Sequence, residues 1–388
     1  LIPRDHGAVS FGVYVHVPFC AHRCDYCDFA TWTDRAHLID AYVDACVRDL
    51  HRHAAEGVDA ATTVFFGGGT PSLLPAGQLA RILGAIDRSP DAEVTVECNP
   101  DSVDATKLAT YVAAGVNRVS FGVQSLVPHV LQALGRTHDP DNVRRAIAMA
   151  REAGIERINV DLIYGAAEES ADDWRRTVEG ALELDVEHIS AYALTVEPAT
   201  ALGRMVAAGT RRAPDDDRQA DAYVTADDAF NAAGYKWYEI SNWARPGEAC
   251  RHNLLYWRGG AYLGIGCAAH GYTGGRRWWN VRTPDRYIEA IADNRSPEAG
   301  SEILDDKGRA EESFALALRT RAGARVGADA AHCVDDLVDA ALCERDDDRV
   351  VLTRTGRLLA SDVTARLLLA GAHLGRRQDG LALDSIEC

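Results

Sequence analysis

Cys20, Cys24 and Cys27 follow the apolar run of VYVHVPFCAHRCDYCDF, and the next eighteen residues hold no further cysteine. Three thiols on one short loop suit a shared ion, a cluster or a disulfide. A cubane iron–sulfur cluster as a rule takes four cysteine thiolates, so three leave one iron with an open coordination position. An open position marks a reactive centre, by the logic that separates catalytic from structural zinc. A structural zinc is the alternative, with His16, His22 or Asp28 as fourth ligand. A disulfide fits poorly, because the remaining cysteines are scattered and the chain opens on no secretory segment.

A second set of polar residues lies where apolar runs end. Phe66-Gly67-Gly68-Gly69-Thr70-Pro71 closes one run, and Glu97, Gln124 and Asp161 stand at the ends of three others. Glycine lets a ligand approach the backbone closely, so this glycine run can cradle an ammonium or phosphate group. The plainer reading is a tight turn between strand and helix. It is neither a GxGxxG helix start nor a P-loop, since the lysine and the spacing are missing. Cys46, Cys333 and Cys343 fall in helical patterns and read as packing residues. Strand alternation turns Cys98 away from Glu97.

The elements that must position these groups alternate. Strand-like runs at 13–17, 63–66, 93–97, 118–122, 157–162 and 188–194 are separated by amphipathic patterns at 36–53, 77–87, 105–113, 142–153 and 171–184. Such alternation implies βα units and a parallel sheet. Ala114-Gly115 and Ala153-Gly154 stop helices just before strands, as a left-handed cap requires. Six units, not eight, point to an α/β fold, either a partial (β/α)6 TIM-type barrel or an open sheet. In a parallel barrel the C-terminal strand ends surround the active site, and the cysteine loop, GGGT, Glu97, Gln124 and Asp161 all fall there. Further on come a helix at 215–233, an aromatic-rich strand at 235–240, a Gly- and Trp-rich stretch, a helix at 285–293 and an acidic linker at 302–306. The order helix (309–320), helix (329–342), strand (350–353), helix (355–369) resembles a small helical, winged-helix-like domain. We therefore expect a barrel over 1–235, a connecting segment over 236–304 and a C-terminal domain over 305–388.

Composition limits the partners. The 388 residues carry a formal net charge of −17, which speaks against nucleic acid and anionic membranes. Residues 305–388 hold 12 Arg/Lys against 16 Asp/Glu, so the winged-helix-like order lacks a basic recognition helix. Ten cysteines do not make a disulfide scaffold, and free thiols with a low-potential cluster predict a reducing, cytoplasmic setting.

The C-x3-C-x2-C spacing with Tyr26 before the last cysteine resembles the signature of the radical S-adenosylmethionine (SAM) proteins. The segments YVHVPFC, FFGGGTPSLL, VECNPD, NRVSFGVQS, LGRTHD and INVDLIYG resemble the core of the oxygen-independent coproporphyrinogen dehydrogenase (HemN) family and its haem chaperone (HemW) branch. That resemblance implies a [4Fe-4S] cluster on Cys20, Cys24 and Cys27, with SAM on the open iron. It implies a SAM site lined by Tyr14, Gly68, Gly69, Thr70, Glu97, Gln124, Arg136 and Asp161. Glu97 and Asp161 would accept hydrogen bonds from ribose hydroxyls or the amino group, Arg136 would pair with a carboxylate, and Tyr26 would pack against adenine.

Two departures favour the chaperone branch. The dehydrogenases carry a further cysteine two positions after the third and a longer segment ahead of the cluster; here Asp28-Phe29 follows Cys27 and nineteen residues precede Cys20. Residues 250–272, CRHNLLYWRGGAYLGIGCAAHGY, match that branch's HNxxYW motif, as Tyr238-Glu239-Ile240-Ser241-Asn242 does upstream. His252 offers a neutral imidazole, a common axial ligand of haem iron. Tyr256 and Trp257 offer flat faces for a porphyrin, with Asn253 beside them. The alternatives are an aromatic loop that closes the barrel's open side, and a zinc site on Cys250, His252, Cys267 and His270. The resemblance implies haem as cargo, haem-accepting apoproteins as partners, at most transient contact with membrane proteins, and a possible homodimer. The rival function is a radical SAM oxidoreductase of the coproporphyrinogen dehydrogenase type.

Overall fold

The computed structural model describes residues 11–136 and 139–373. Thr137 and His138 of the LGRTHD motif, and the chain beyond residue 373, lie outside them. The first six βα units run β1 (Phe11–Val17), α1 (Ile39–Ala55), β2 (Ala61–Gly68), α2 (Ala76–Gly84), β3 (Arg88–Cys98), α3 (Ala105–Ala114), β4 (Arg118–Gln124), α4 (Pro128–Ala133), α5 (Pro140–Glu152), β5 (Arg157–Tyr164), α6 (Ala171–Glu183) and β6 (His188–Ala193). Polar caps start several helices: Asp104 accepts from Lys107 N–H, and Ser170 with Asp173 forms a reciprocal capping box. Strands β1 to β6 pair in sequence order and all in parallel. Their outward side chains, among them Val15, Val64, Val96, Val119, Ile158 and Ile189, are buried under the helices in one continuous core.

The remaining elements extend this arc at both ends. They are α7 (Ala201–Ala207), α8 (Asp216–Ala232), β7 (Lys236–Glu239), β8 (Asn242–Ala244), α9 (Arg251–Trp257), β9 (Ala261–Ile265), β10 (His270–Thr273), β11 (Arg276–Asn280), α10 (Pro284–Ala292) and β12 (Glu298–Ile303). Strand β8 pairs antiparallel with β6, and β9 pairs in parallel with β1. The twelve-stranded sheet therefore reads β12-β11-β10-β9-β1-β2-β3-β4-β5-β6-β8-β7. The Gly- and Trp-rich stretch thus supplies strands β9, β10 and β11 beside helix α9. The expected acidic linker at 302–306 is a correction: Glu302 and Ile303 pair with Arg277 and Arg276, and Asp305 caps the next helix.

The C-terminal module contains α11 (Asp306–Leu318), β13 (Ala324–Arg325), α12 (Ala331–Asp339), β14 (Cys343–Asp346), β15 (Arg349–Leu352), α13 (Arg354–Leu358) and α14 (Ala360–Leu369) around its own apolar cluster. Its helices and three-stranded sheet keep the winged-helix-like order. Cys343 is a second correction: it opens β14 opposite Leu352, after Ala341 takes a positive φ of 55° and ends the helix. A buried ion pair ties this module to the barrel. Arg357 donates to both carboxylate oxygens of Asp227 at 3.1 and 2.9 Å, and Trp243 Nε1 donates to Asp227 Oδ1 at 2.8 Å. No helix among the described residues is long and apolar enough to cross a membrane.

Candidate functional site

The cysteine loop leaves the C-terminal end of β1 and is drawn closed at its base. Trp32 N–H donates to Pro18 O at 2.7 Å, and Cys20 N–H donates to Trp32 O at 3.0 Å. Cys20, Cys24 and Cys27 are free and half-buried. Thr70 Oγ1 lies 3.6 Å from Cys20 Sγ, and Arg136 Nη1 lies 3.7 Å from Cys24 Sγ. Burial pushes the Cys20 and Cys27 thiols up, so in the ligand-free protein they stay protonated. A hydroxyl and a guanidinium beside sulfur support anionic thiolates once a metal displaces those protons. The donor set fits a [4Fe-4S] cluster, whose thiolates each bind a separate iron. It does not fit a single zinc, because no three His, Cys, Asp or Glu side chains among the described residues converge on one point. His16, a possible fourth ligand, is engaged by Tyr14 OH at 3.2 Å and Ala30 O at 2.9 Å.

The second strand's glycines bring backbone against this loop. Gly69 N–H donates to Val17 O and Thr70 N–H to Phe19 O, both at 2.8 Å. A Cβ on Gly69 would lie 2.7 Å from Phe19 O, 2.8 Å from Val17 O and 3.0 Å from Cys20 Sγ, so only glycine fits. Gly68 has φ of 109°, a left-handed conformation, and a Cβ there would meet the His16 ring at 2.4 Å. Its N–H donates to Glu97 Oε2 at 3.2 Å.

The barrel interior is polar where a purely structural barrel would be filled by branched apolar side chains. Tyr14, Glu97, Gln124 and Asp161 are half-buried around it. Burial, then the charge of Asp161, pushes the Glu97 carboxyl up to about 8, against the pull of the Gly68 N–H. Burial also raises Asp161, countered by hydrogen bonds from Ser120 and Asn159 at 2.6 and 2.9 Å. Gln124 follows a bulge at the end of β4 and holds φ of 65°, a strained conformation for a residue other than glycine. Arg136 Nη2 donates to Gly122 O at 2.6 Å, which aims its guanidinium between the cysteine loop and β4. Tyr26 packs against the apolar cluster of Val127, Val130, Leu134 and Leu202, over the rim of the barrel. The sequence-predicted cluster and SAM residues therefore converge on one mouth.

The HNxxYW segment forms α9, which plugs the opposite, N-terminal end of the barrel. His252 N–H donates to Glu93 Oε1 at 3.0 Å and Cys250 Sγ–H to the same oxygen at 3.4 Å, while Arg118 sits 4.0 Å from Glu93 and donates to Glu248 O. The His252 ring stacks on Phe65 at 5.3 Å, and Gly12 of β1 leaves room for Leu255. Only 1% of His252 is exposed. Its Nδ1 meets Thr63 Oγ1 at 2.9 Å and its Nε2 meets Tyr256 OH at 3.0 Å, and burial holds it neutral, down to about 3. With both nitrogens engaged, this imidazole pins α9 to the barrel wall in the ligand-free protein. Asn253 Nδ2 donates to Tyr238 OH at 3.0 Å. Trp257 is half-buried beneath the Arg319 guanidinium, 5.0 Å from its ring, and its indole N–H has no partner. The zinc set is also dispersed: Cys250 faces Glu93, whereas Cys267 faces Tyr42 OH at 3.6 Å.

Sequence reasoning missed the interior residues Ser120, Asn159, His188 and Ser190. The signal was present as polar residues at alternate positions of otherwise apolar strands: Arg118/Ser120, Asn159/Asp161 and His188/Ser190.

The model of the radical SAM superfamily matches residues 14–181. The curated heme chaperone HemW of Mycobacterium tuberculosis is 46% identical over 370 residues, covering 92% of this chain and 95% of its own. That of Bacillus subtilis is 35% identical over 372 residues, covering 92% and 98%, and that of Escherichia coli is 39% identical over 292 residues, covering 74% of each. The solved coproporphyrinogen III oxidase HemN of Escherichia coli superposes with a TM-score of 0.80 at 21% identity, covering 92% of this chain and 90% of that one, and so shares the fold. With its cluster loop, its polar mouth and a near full-length match to these relatives, the chain belongs to the HemW family of the radical SAM superfamily.

Proposed function

We propose that this protein is a haem chaperone, which receives haem as cargo and delivers it to acceptor apoproteins. The observation that carries the reading is the near full-length likeness to HemW relatives, joined to the Cys27-Asp28-Phe29 sequence in place of a fourth cysteine. In this reading Cys20, Cys24 and Cys27 hold a [4Fe-4S] cluster whose open iron takes SAM; a bound cluster supplies one-electron chemistry at that position. Tyr14, Tyr26, Gly68, Gly69, Thr70, Glu97, Gln124, Arg136 and Asp161 bind and orient SAM. Asn253, Tyr256 and Trp257 supply the haem-facing surface, with His252 fixing the helix that carries them. The half-buried, protonated thiols suit a reducing cytoplasm, where haem acceptors are met transiently and a second copy of the chain is a further partner.

The test is an anaerobic reconstitution of the full chain, followed by haem titration and by incubation with SAM plus either haem or coproporphyrinogen. A saturable Soret band with no deoxyadenosine release from coproporphyrinogen is expected. Stoichiometric deoxyadenosine with coproporphyrinogen, and no haem uptake, would instead establish the oxidoreductase. Cys24→Ser should lose the cluster while the far-ultraviolet dichroism stays unchanged, since the barrel core lies elsewhere.

A further inference from the structure

A string of hydrogen bonds runs through the barrel from its mouth to its plugged end, and each link has only one polarity. Asp161, as a carboxylate, only accepts. Asn159 must therefore present its amide NH2, and Nδ2 lies 2.9 Å from Asp161 Oδ1 and 2.6 Å from Ser120 Oγ. The Ser120 hydroxyl in turn donates to Asp161 Oδ2 at 2.6 Å. Asn159 Oδ1 is left facing His188 Nδ1 at 2.6 Å and accepts its proton. Burial, reinforced by the charge of Arg118, holds His188 neutral, so Nε2 keeps a lone pair. It accepts from Tyr238 OH at 2.8 Å. The Tyr238 oxygen then accepts from Asn253 Nδ2 at 3.0 Å, on the plug helix α9.

Turning any one amide or ring strands a buried polar group, at a cost of about 1–3 kcal/mol. The members therefore shift together. A ligand hydroxyl or ammonium at Asp161 draws on the same carboxylate that sets the direction of the whole string. We propose that His188 and Tyr238 are positioning residues that couple ligand occupancy at Asp161 to the seating of α9, so that SAM at the mouth changes the affinity of the HNxxYW segment for haem. This rests on the SAM and haem sites proposed above.

The experiment measures the haem Kd of the cluster-loaded protein with and without saturating SAM, in wild type and in Tyr238→Phe, which removes one hydroxyl only. In wild type SAM should change the haem Kd by about fivefold or more, and haem should change the SAM Kd by the same factor. Tyr238→Phe should bind each ligand alone within about twofold of wild type yet bring that factor close to 1. A wild type that binds both ligands without coupling, or a Tyr238→Phe protein that keeps the coupling, overturns the inference and leaves the chaperone reading intact. A wild type that binds no haem overturns the chaperone reading itself, and this inference with it. The nitrogen-15 resonances of His188 supply a second measurement on the wild-type protein. They should report a proton on Nδ1 and none on Nε2; the opposite tautomer breaks the string and refutes the inference even if Tyr238→Phe does not fold.

Discussion

Glu97 is the group whose titration most directly reports on ligand binding. Its carboxyl stands near 8 in the ligand-free protein, because burial and the neighbouring Asp161 charge outweigh the single Gly68 N–H that favours the anion. At neutral pH it is therefore mostly protonated. A ligand that brings an ammonium or hydroxyl donor to this carboxyl favours the anion, so binding must expel a proton. Below pH 8 the affinity then falls with each unit of pH by about tenfold, or ~1.4 kcal/mol. At pH 6.5 the penalty reaches about 2 kcal/mol, roughly thirtyfold in Kd. Calorimetric titration of SAM into anaerobic, cluster-loaded protein, in two buffers of different ionisation enthalpy, reads the proton directly. About 0.9 proton should leave per SAM at pH 7, and Glu97→Gln should release nearly one proton fewer and lose the pH dependence between 6.5 and 8.5. The difference between the two proteins cancels protons from other groups. Equal proton release in both, or a wild-type affinity flat across this range, would falsify the assignment.

The same shift has a stability consequence of definite sign. The folded protein holds this proton more tightly than the unfolded chain, whose carboxyl titrates at 4.5. Stability from Glu97 is thus complete below pH 4.5 and declines as pH rises through 8. Ligand-free Glu97→Gln should show a smaller fall in melting temperature between pH 6 and 9 than wild type.

Four further outcomes follow from packing and buried pairing. Gly69→Ala forces a methyl against Val17 O, Phe19 O and Cys20 Sγ and should cost about 1–3 kcal/mol with iron content below half of wild type after reconstitution. Gly77→Ala, with nothing within 4 Å of the new methyl, should leave iron unchanged. Arg357→Ala strips the charged partner from buried Asp227, leaving it the Trp243 indole N–H, and should cost about 3–5 kcal/mol in urea unfolding, with faster amide exchange over residues 306–369. His252→Ala leaves Thr63, Tyr256 and a cavity behind and should lower stability by about 3 kcal/mol. In that variant the Soret maximum of bound haem should stay in place, whereas a shifted band would return His252 to the role of axial ligand.

What could be read from the sequence is what local pattern encodes. The cysteine spacing, the glycines after β2 and the six alternating strands depend on neighbours in the chain, and Glu97, Gln124 and Asp161 follow once strand ends are placed. Elements fixed by distant partners stayed hidden. Strand β9 takes its place beside β1 only through pairing across some two hundred and fifty residues, and β12 looked like a linker because its charged residues lie on an exposed edge. The setting of His252 was not legible, because a histidine next to aromatic residues has the same composition in a haem pocket and in a packed plug. Which it becomes depends on Thr63, Phe65 and Glu93, far away in sequence and adjacent in the barrel.

The cost of the interior explains why those partners are polar. Burying Glu93, Arg118, Asn159 and His188, with Asp161 half-buried beside them, destabilises the barrel unless each finds a partner, and apolar residues would fill the same space without that demand. Here the pairing is met in part, since Glu93 Oε2 and Arg118 Nη2 keep no hydrogen-bond partner. Glu93 accepts from the His252 N–H and the Cys250 thiol at the start of α9, with Arg118 beside it, so the plug is seated by hydrogen bonds to the barrel wall. Above it, Asn159 and His188 satisfy one another, and they do so only while Asp161 stays an acceptor. An apolar plug would be indifferent to what occupies the mouth. A hydrogen-bonded one has a preferred arrangement for each state of Asp161, and this dependence is what the proposed coupling between the mouth and α9 draws on.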